Sequence, residues 1–151
     1  MTQYAHGILY HNNGDGTFTD VTSKAGVRTP GWSTSAVWFD YDNYGRLDLF
    51  VLRLAQLDKT IWCGNKLSGE RWYCIPSFYK PMPCRLFHNN GGNGTFTDVS
   101  KESGIARSLA KGWGVVAADI NINNDGWMDL FVGNDTVPNS LLVNRGKGPV
   151  R

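Results

Sequence analysis

Two short segments hold most of the residues able to do chemistry. The first reads Asp40-Tyr41-Asp42-Asn43-Tyr44-Gly45-Arg46-Leu47-Asp48, the second Asn121-Ile122-Asn123-Asn124-Asp125-Gly126-Trp127-Met128-Asp129. In both, short oxygen-bearing side chains alternate, and a glycine stands at position 6, where the chain must reverse. A hard cation needs this pattern: calcium takes six to eight oxygens at about 2.3–2.6 Å, so alternate side chains and a backbone carbonyl can wrap it. The first loop offers Asp40, Asp42 and Asp48 at positions 1, 3 and 9 and the carbonyl of Arg46 at position 7, while Tyr44 at position 5 leaves room for water. The second offers Asn121, Asn123, Asp125 and Asp129 at positions 1, 3, 5 and 9, with Trp127 at the carbonyl position. Two carboxylates in place of three weaken its charge attraction. Asp119 opens another register, because Asp119-Ile120-Asn121-Ile122-Asn123 keeps the alternation and brings a third carboxylate. The competing explanation is that these side chains only close Asx-turns on their own backbone. Recurrence of the loop favours the cation. An EF-hand is excluded, since its position-12 acid is replaced by Val51 and Val132 and strands flank the loops.

The elements that position these loops follow from an internal repeat. Leu9-Tyr10-His11-Asn12-Asn13-Gly14 matches Leu86-Phe87-His88-Asn89-Asn90-Gly91, and the motif Gly-Thr-Phe-Thr-Asp-Val occurs at 16–21 and at 94–99. Gly31-Trp32 recurs as Gly112-Trp113, and Asp-Leu-Phe-Val at 48–51 recurs at 129–132. A third copy starts at Leu141, with Asn144, Gly146 and Gly148 in the places of Asn12, Gly14 and Gly16. Within a copy, β-rich apolar runs alternate with Asn/Asp/Gly turns. Strands are expected over 33–39 and 49–53 around the loop 40–48, then over 85–88 and 95–100 as a hairpin. Four strands per repeat is the size of a propeller blade. The expected fold is all-β, a partial β-propeller of about two blades: 7–27 the end of one blade, 31–105 a complete blade, and 112–151 the start of the next. Segment 54–83 is an insertion within the complete blade. It is rich in aromatics, among them Trp62, Trp72, Tyr73, Phe78 and Tyr79, which either build a functional surface or cap the blade edge.

Composition narrows the function classes. The 151 residues carry a net charge of +2 with scattered Lys and Arg, which gives no footprint for nucleic acid, and no apolar run is long enough to span a membrane. No export signal is visible at the start of the chain. Cys63, Cys74 and Cys84 fit no zinc spacing and read as one disulfide plus one thiol. His11 and His88, being repeat-equivalent, read as blade-surface residues, Trp32 and Trp113 as packing between blades, and Asp20 and Asp98 as ties at strand ends. The motifs of serine hydrolases, zinc proteases and phosphate-binding loops are all missing from the sequence.

Together the D-x-D-x-x-G-x-x-D loop and its hairpin partners resemble the FG-GAP/VCBS repeats of integrin α-subunit propellers. More narrowly, Asn-Asn-Gly-x-Gly-Thr-Phe-Thr-Asp-Val with Cys63-Gly64, Arg71, Tyr73-Cys74 and Pro76 resembles the cartilage acidic protein and ASPIC/UnbV group. Tyr44 departs from the Asp or Asn that this pattern has at position 5. The resemblance implies bound Ca2+, export, a Cys63–Cys74 disulfide, and an adhesive or scaffolding role toward a protein or glycan partner. The alternatives are part of a propeller-fold carbohydrate-active enzyme, favoured by a pocket joining the insertion aromatics to Glu70 or Asp58, and a self-assembling subunit whose open blade edges pair in trans.

Overall fold

The computed structural model describes residues 6–107, 114–135 and 137–146, with the backbone alone over 114–119. The chain is nearly all β. Strands β1 (Tyr10–Asn12) and β2 (Phe18–Asp20) form a hairpin, followed by the single helical turn α1 (Thr22–Ala25). Next come β3 (Ser33–Phe39) and β4 (Asp48–Arg53) around the first loop. The insertion holds short strands β5 (Ala55–Gln56), β6 (Gly64–Asn65), β7 (Glu70–Arg71) and β8 (Lys80–Pro81). Then follow β9 (Arg85–Asn89), β10 (Phe96–Asp98), β11 (Gly114–Ile120), β12 (Asp129–Asn134) and β13 (Ser140–Leu142).

The central sheet is antiparallel in the order β10-β9-β4-β3, and β11-β12-β13 repeats its strands β3-β4-β9. The two sheets share a fault as well as a pattern: the register shifts between Ser33 and Ser35 in one and between Gly114 and Val116 in the other. A β-bulge at the same point of each repeat bends the outer strand. The sequence stops each strand where turn residues begin, and the β-branched and aromatic content of β3 suits a pleated, half-buried surface.

Strand β4 explains how the sheets stack. Side chains alternate across a strand, so a strand between two packed layers must be apolar on both faces. All six residues of β4 are buried. Leu49 and Val51 pack with Phe87, Ala25 and Val27, on the side of the β1–β2 hairpin. Phe50 and Leu52 pack with Phe39, Leu86, Ile105, Leu130, Val132 and Leu142, on the side of the β11–β13 sheet. Burying one such aromatic is worth several kcal/mol, and Phe50→Ala would cost about 3–5 kcal/mol.

A third cluster lies at the root of the insertion. Leu54 and Ala55 are buried beneath the partly exposed Trp32 and Tyr79. Trp32 therefore covers the insertion root instead of packing between blades, because its carbonyl accepts the Leu54 N–H at 2.8 Å and draws the two segments together. Trp113 lies outside the described residues. Beneath the root, Arg53 is 2% exposed: its Nη2 donates to the Pro30 carbonyl at 2.5 Å and its Nη1 to the Pro83 carbonyl at 3.4 Å, so one guanidinium clasps the end of the insertion to the segment before β3. Beyond the root the β6–β7 hairpin is closed by a Cys63–Cys74 disulfide with a Cα–Cα distance of 5.3 Å. The insertion aromatics divide between packed and exposed positions. Tyr79 packs, whereas Trp72, Tyr73 and Phe78 stand in solvent.

Candidate metal centre

The two rim loops share one backbone path. Asn43 and Asn124 at position 4 have left-handed φ of 59° and 56°, and Gly45 and Gly126 at position 6 have 74° and 86°. Asn tolerates that region and Gly occupies it freely, which is why these types stand there. The path folds the loop back over the end of its own sheet.

Position 9 is the fulcrum. Asp48 and Asp129 are 1% and 0% exposed. Tyr41 N–H donates to Asp48 Oδ2 at 3.2 Å and Asn89 N–H to Asp48 Oδ1 at 2.7 Å. In the second loop Ile122 N–H donates to Asp129 Oδ2 at 3.0 Å and Asn144 N–H to Asp129 Oδ1 at 2.8 Å. Each carboxylate thus ties the loop it closes to the end of the third strand of its sheet. Burial pushes the Asp48 carboxyl above the usual carboxylate range, as does the nearby Asp42 charge, while the two backbone N–H donors and His88 pull it down.

The remaining loop side chains differ between the copies. Asp40 accepts the N–H of Tyr44 at Oδ1 (3.2 Å) and of Gly45 at Oδ2 (2.7 Å), and Asp42 Oδ1 also accepts from Tyr44 (3.3 Å). These are the turn bonds of the competing explanation, and each oxygen retains a further lone pair. Tyr44 is exposed, with the Arg46 guanidinium 5.9 Å from its ring centroid. In the second loop Asp125 accepts from Trp127 N–H (2.9 Å) and from Asn123 Nδ2 (2.7 Å), and Asn123 Oδ1 accepts from Asp125 N–H (3.2 Å). The Trp127 indole packs against Gly146, where a Cβ would overlap it. Asn121 Oδ1 is buried and has no hydrogen-bond partner among the described residues. Asp119 sits in β11 opposite Leu130, and its side chain lies outside the described residues.

Beside the first loop stands a residue that sequence reasoning placed on the blade surface. His88 is half-buried, and its Nδ1 lies 2.9 Å from Asp42 Oδ2 and 3.5 Å from Asp48 Oδ1. One donor atom from each of the three residues falls within 4.8 Å of the others. The cause is register: His88 precedes Asn89, whose N–H is held by Asp48, so the clamp that ends β9 also swings the imidazole under the loop. Its ring meets Tyr41 edge-on at 6.0 Å. His11, at the equivalent position of β1, is exposed.

Asked which cation they fit, the loops answer differently. The second presents oxygen alone, with a buried acceptor left over at Asn121 Oδ1, and suits a hard ion such as calcium. The first brings a nitrogen to two carboxylates and departs from an all-oxygen shell.

The loops also touch. Asn43 Nδ2 donates to the Gly126 carbonyl at 3.1 Å, and Asn144 Nδ2 to the Tyr41 carbonyl at 2.6 Å. Between them opens a cleft of about 260 Å³ lined by Tyr41, Asp42, Glu102, Ser103, Trp127 and Asn144. A second concavity, of about 630 Å³, lies on the insertion and joins Asp58 and Phe78 with Lys59 and Lys80. This is the juxtaposition of aromatic and acid that the enzyme alternative asked for. Its Asp58, however, is turned to the N–H and hydroxyl of Thr60 (2.8 and 2.6 Å), which hold the carboxyl below its usual range, and Glu70 lies apart in β7. A lone carboxylate held ionised is poorly placed to act as the acid of an acid/base pair.

Residues 2–51 match the FG-GAP-like repeat family model. A 61-residue stretch is 41% identical to cartilage acidic protein 1 of Mus musculus and covers 40% of this chain and 9% of that protein's length.

Proposed function

We propose that this chain, an FG-GAP-repeat protein with the sheets of propeller blades, is a non-catalytic interaction module that works outside the cell and is stabilised by calcium at its rim. The observation that carries the cation is Asn121 Oδ1, a buried oxygen without a partner among the described residues, in a loop whose other candidate donors, Asn123, Asp125 and Asp129, are also oxygens. A buried acceptor left unsatisfied costs free energy that an ion would recover. Calcium held there would supply charge neutralisation and a fixed start for β12, while the chain's own residues hold the loop closed through Asp129. The Cys63–Cys74 bond supports an oxidising compartment. Contact with a protein or glycan is supported by Trp72, Tyr73, Ile75 and Phe78, large apolar side chains exposed on the disulfide-closed insertion.

Thermal melting in calcium against chelator tests the cation. A ligand specific to the folded state adds about 2.7 kcal/mol at a hundred times its dissociation constant. Asn121→Ala is the informative variant, because it removes the spare oxygen without touching the Asp129 clamp. We expect it to lose most of the calcium shift and to match the parent chain in chelator. Superimposed melts of the parent chain with and without calcium would sink the proposal, leaving these side chains as turn formers only.

A further inference from the structure

We infer that the first rim loop is a mixed nitrogen and oxygen site, formed by His88 Nδ1 with the carboxylates of Asp42 and Asp48, that takes a borderline dication such as Zn2+ in preference to calcium. Three observations carry this. First, the separations suit the smaller ion. Zinc bonds nitrogen and oxygen at about 2.0–2.2 Å, which sets neighbouring ligands of a tetrahedron about 3.4 Å apart. His88 Nδ1 stands 2.9 Å from Asp42 Oδ2 and 3.5 Å from Asp48 Oδ1, so a shift of a few tenths of an ångström admits the ion. Second, His88 Nδ1 is shut off from water yet is aligned for a hydrogen bond with neither carboxylate. A buried ring nitrogen close to two carboxylate oxygens but without a hydrogen-bond partner among the described residues has a coordination position to spare. Third, the groups are held in place before any ion arrives. Asp48 is clamped by two backbone N–H groups, Asp42 Oδ1 by Tyr44, and His88 by its strand pairing with Thr97 and its contact with Tyr41.

The second loop serves as an internal control. There the corresponding residues are Asn123, Asp129 and Val143, so the same backbone path offers one carboxylate and no nitrogen. Thiolate and imidazole favour zinc and its neighbours, whereas calcium takes oxygens. One repeat is thus built for each class of ion. The inference shares with the calcium proposal only the premise that a rim loop holds a dication, and the two can fail separately. The rival account of the His88 cluster is close packing of the imidazole against Asp42 and Asp48 with no metal.

The test is calorimetric titration of the chelator-stripped chain with Zn2+ and with Ca2+, accompanied by nitrogen NMR of the imidazole rings. We expect one equivalent of zinc that calcium does not displace, a change at the His88 nitrogens and none at His6 or His11, and at least a tenfold loss of zinc affinity in His88→Gln with the calcium-dependent melting shift retained. Zinc that binds His88→Gln as tightly as the parent chain is bound elsewhere, and that result overturns the inference. Should His88→Gln fail to fold, the imidazole spectrum of the parent chain decides: zinc that leaves the His88 nitrogens unchanged overturns the inference. A missing calcium shift alongside intact zinc binding would sink the calcium proposal alone.

Discussion

Asp48 and Asp129 hold their loops closed, a job separate from the proposed ligation of an ion. Both are buried, and each accepts two backbone N–H bonds that need no ion. Replacing Asp129 by Ala leaves two amides without their acceptor, and each unsatisfied buried group costs about 1–3 kcal/mol. We therefore expect Asp129→Ala to lower stability by at least about 2 kcal/mol even in excess chelator, read from urea unfolding. An unchanged midpoint under those conditions would mean that the clamp contributes nothing by itself. Alternating donors and the loop glycine were legible in the sequence because they are consecutive. His88 was not, because its partners are 46 and 40 positions away and only the pairing of β9 with β4 brings them close. Cys84 illustrates the opposite case: burial pushes its thiol up to about 11, which makes it inert as the leftover cysteine.

Among the elements, the hairpins carry a device that the sequence did disclose. Asp20 Oδ1 accepts from the N–H and hydroxyl of Thr22, and the Thr22 hydroxyl in turn accepts the Leu9 N–H; Asp98, Ser100 and Leu86 repeat the relay. Short polar residues just past a strand end identify such ties, since they bond a backbone only a few positions away. Trp32 was misplaced for the converse reason: an aromatic at a repeat position does not reveal which neighbour covers it, and the insertion has no counterpart in the short connection between β12 and β13. The β6–β7 hairpin has two residues in each strand and would be marginal alone, so the Cys63–Cys74 bond is what holds it. In a chain-entropy account a ring of this size contributes about 3 kcal/mol to the segment it closes. Reduction should raise amide exchange across 63–74 while β4 and β9 stay protected below their Arg53 clasp. Loss of protection in β4 on reduction would show instead that the insertion is a structural part of the sheet.

At the scale of the whole molecule, β4 packs on one side against α1 and the residues flanking the β1–β2 hairpin and on the other against the β11–β13 sheet, and the rim loops meet above the second interface. The blade pattern was readable because a repeat announces its own period. Contact between loops was not, because neither Asn43 nor Asn144 differs in type from the turn residues around it. Those two amides have a thermodynamic consequence. If loading one loop changes the free energy of the bonds Asn43 makes to Gly126 and Asn144 makes to Tyr41, then the loops are linked, and linkage is reciprocal. Zinc at the first loop should alter the calcium constant of the second by the same factor by which calcium alters the zinc constant. Asn43→Ala should bring that factor toward one with each ion still binding, and unequal factors in the two directions would rule out two linked sites. With both ions bound, a rim joined in this way would report the ionic composition of its surroundings as one state shared between the two loops.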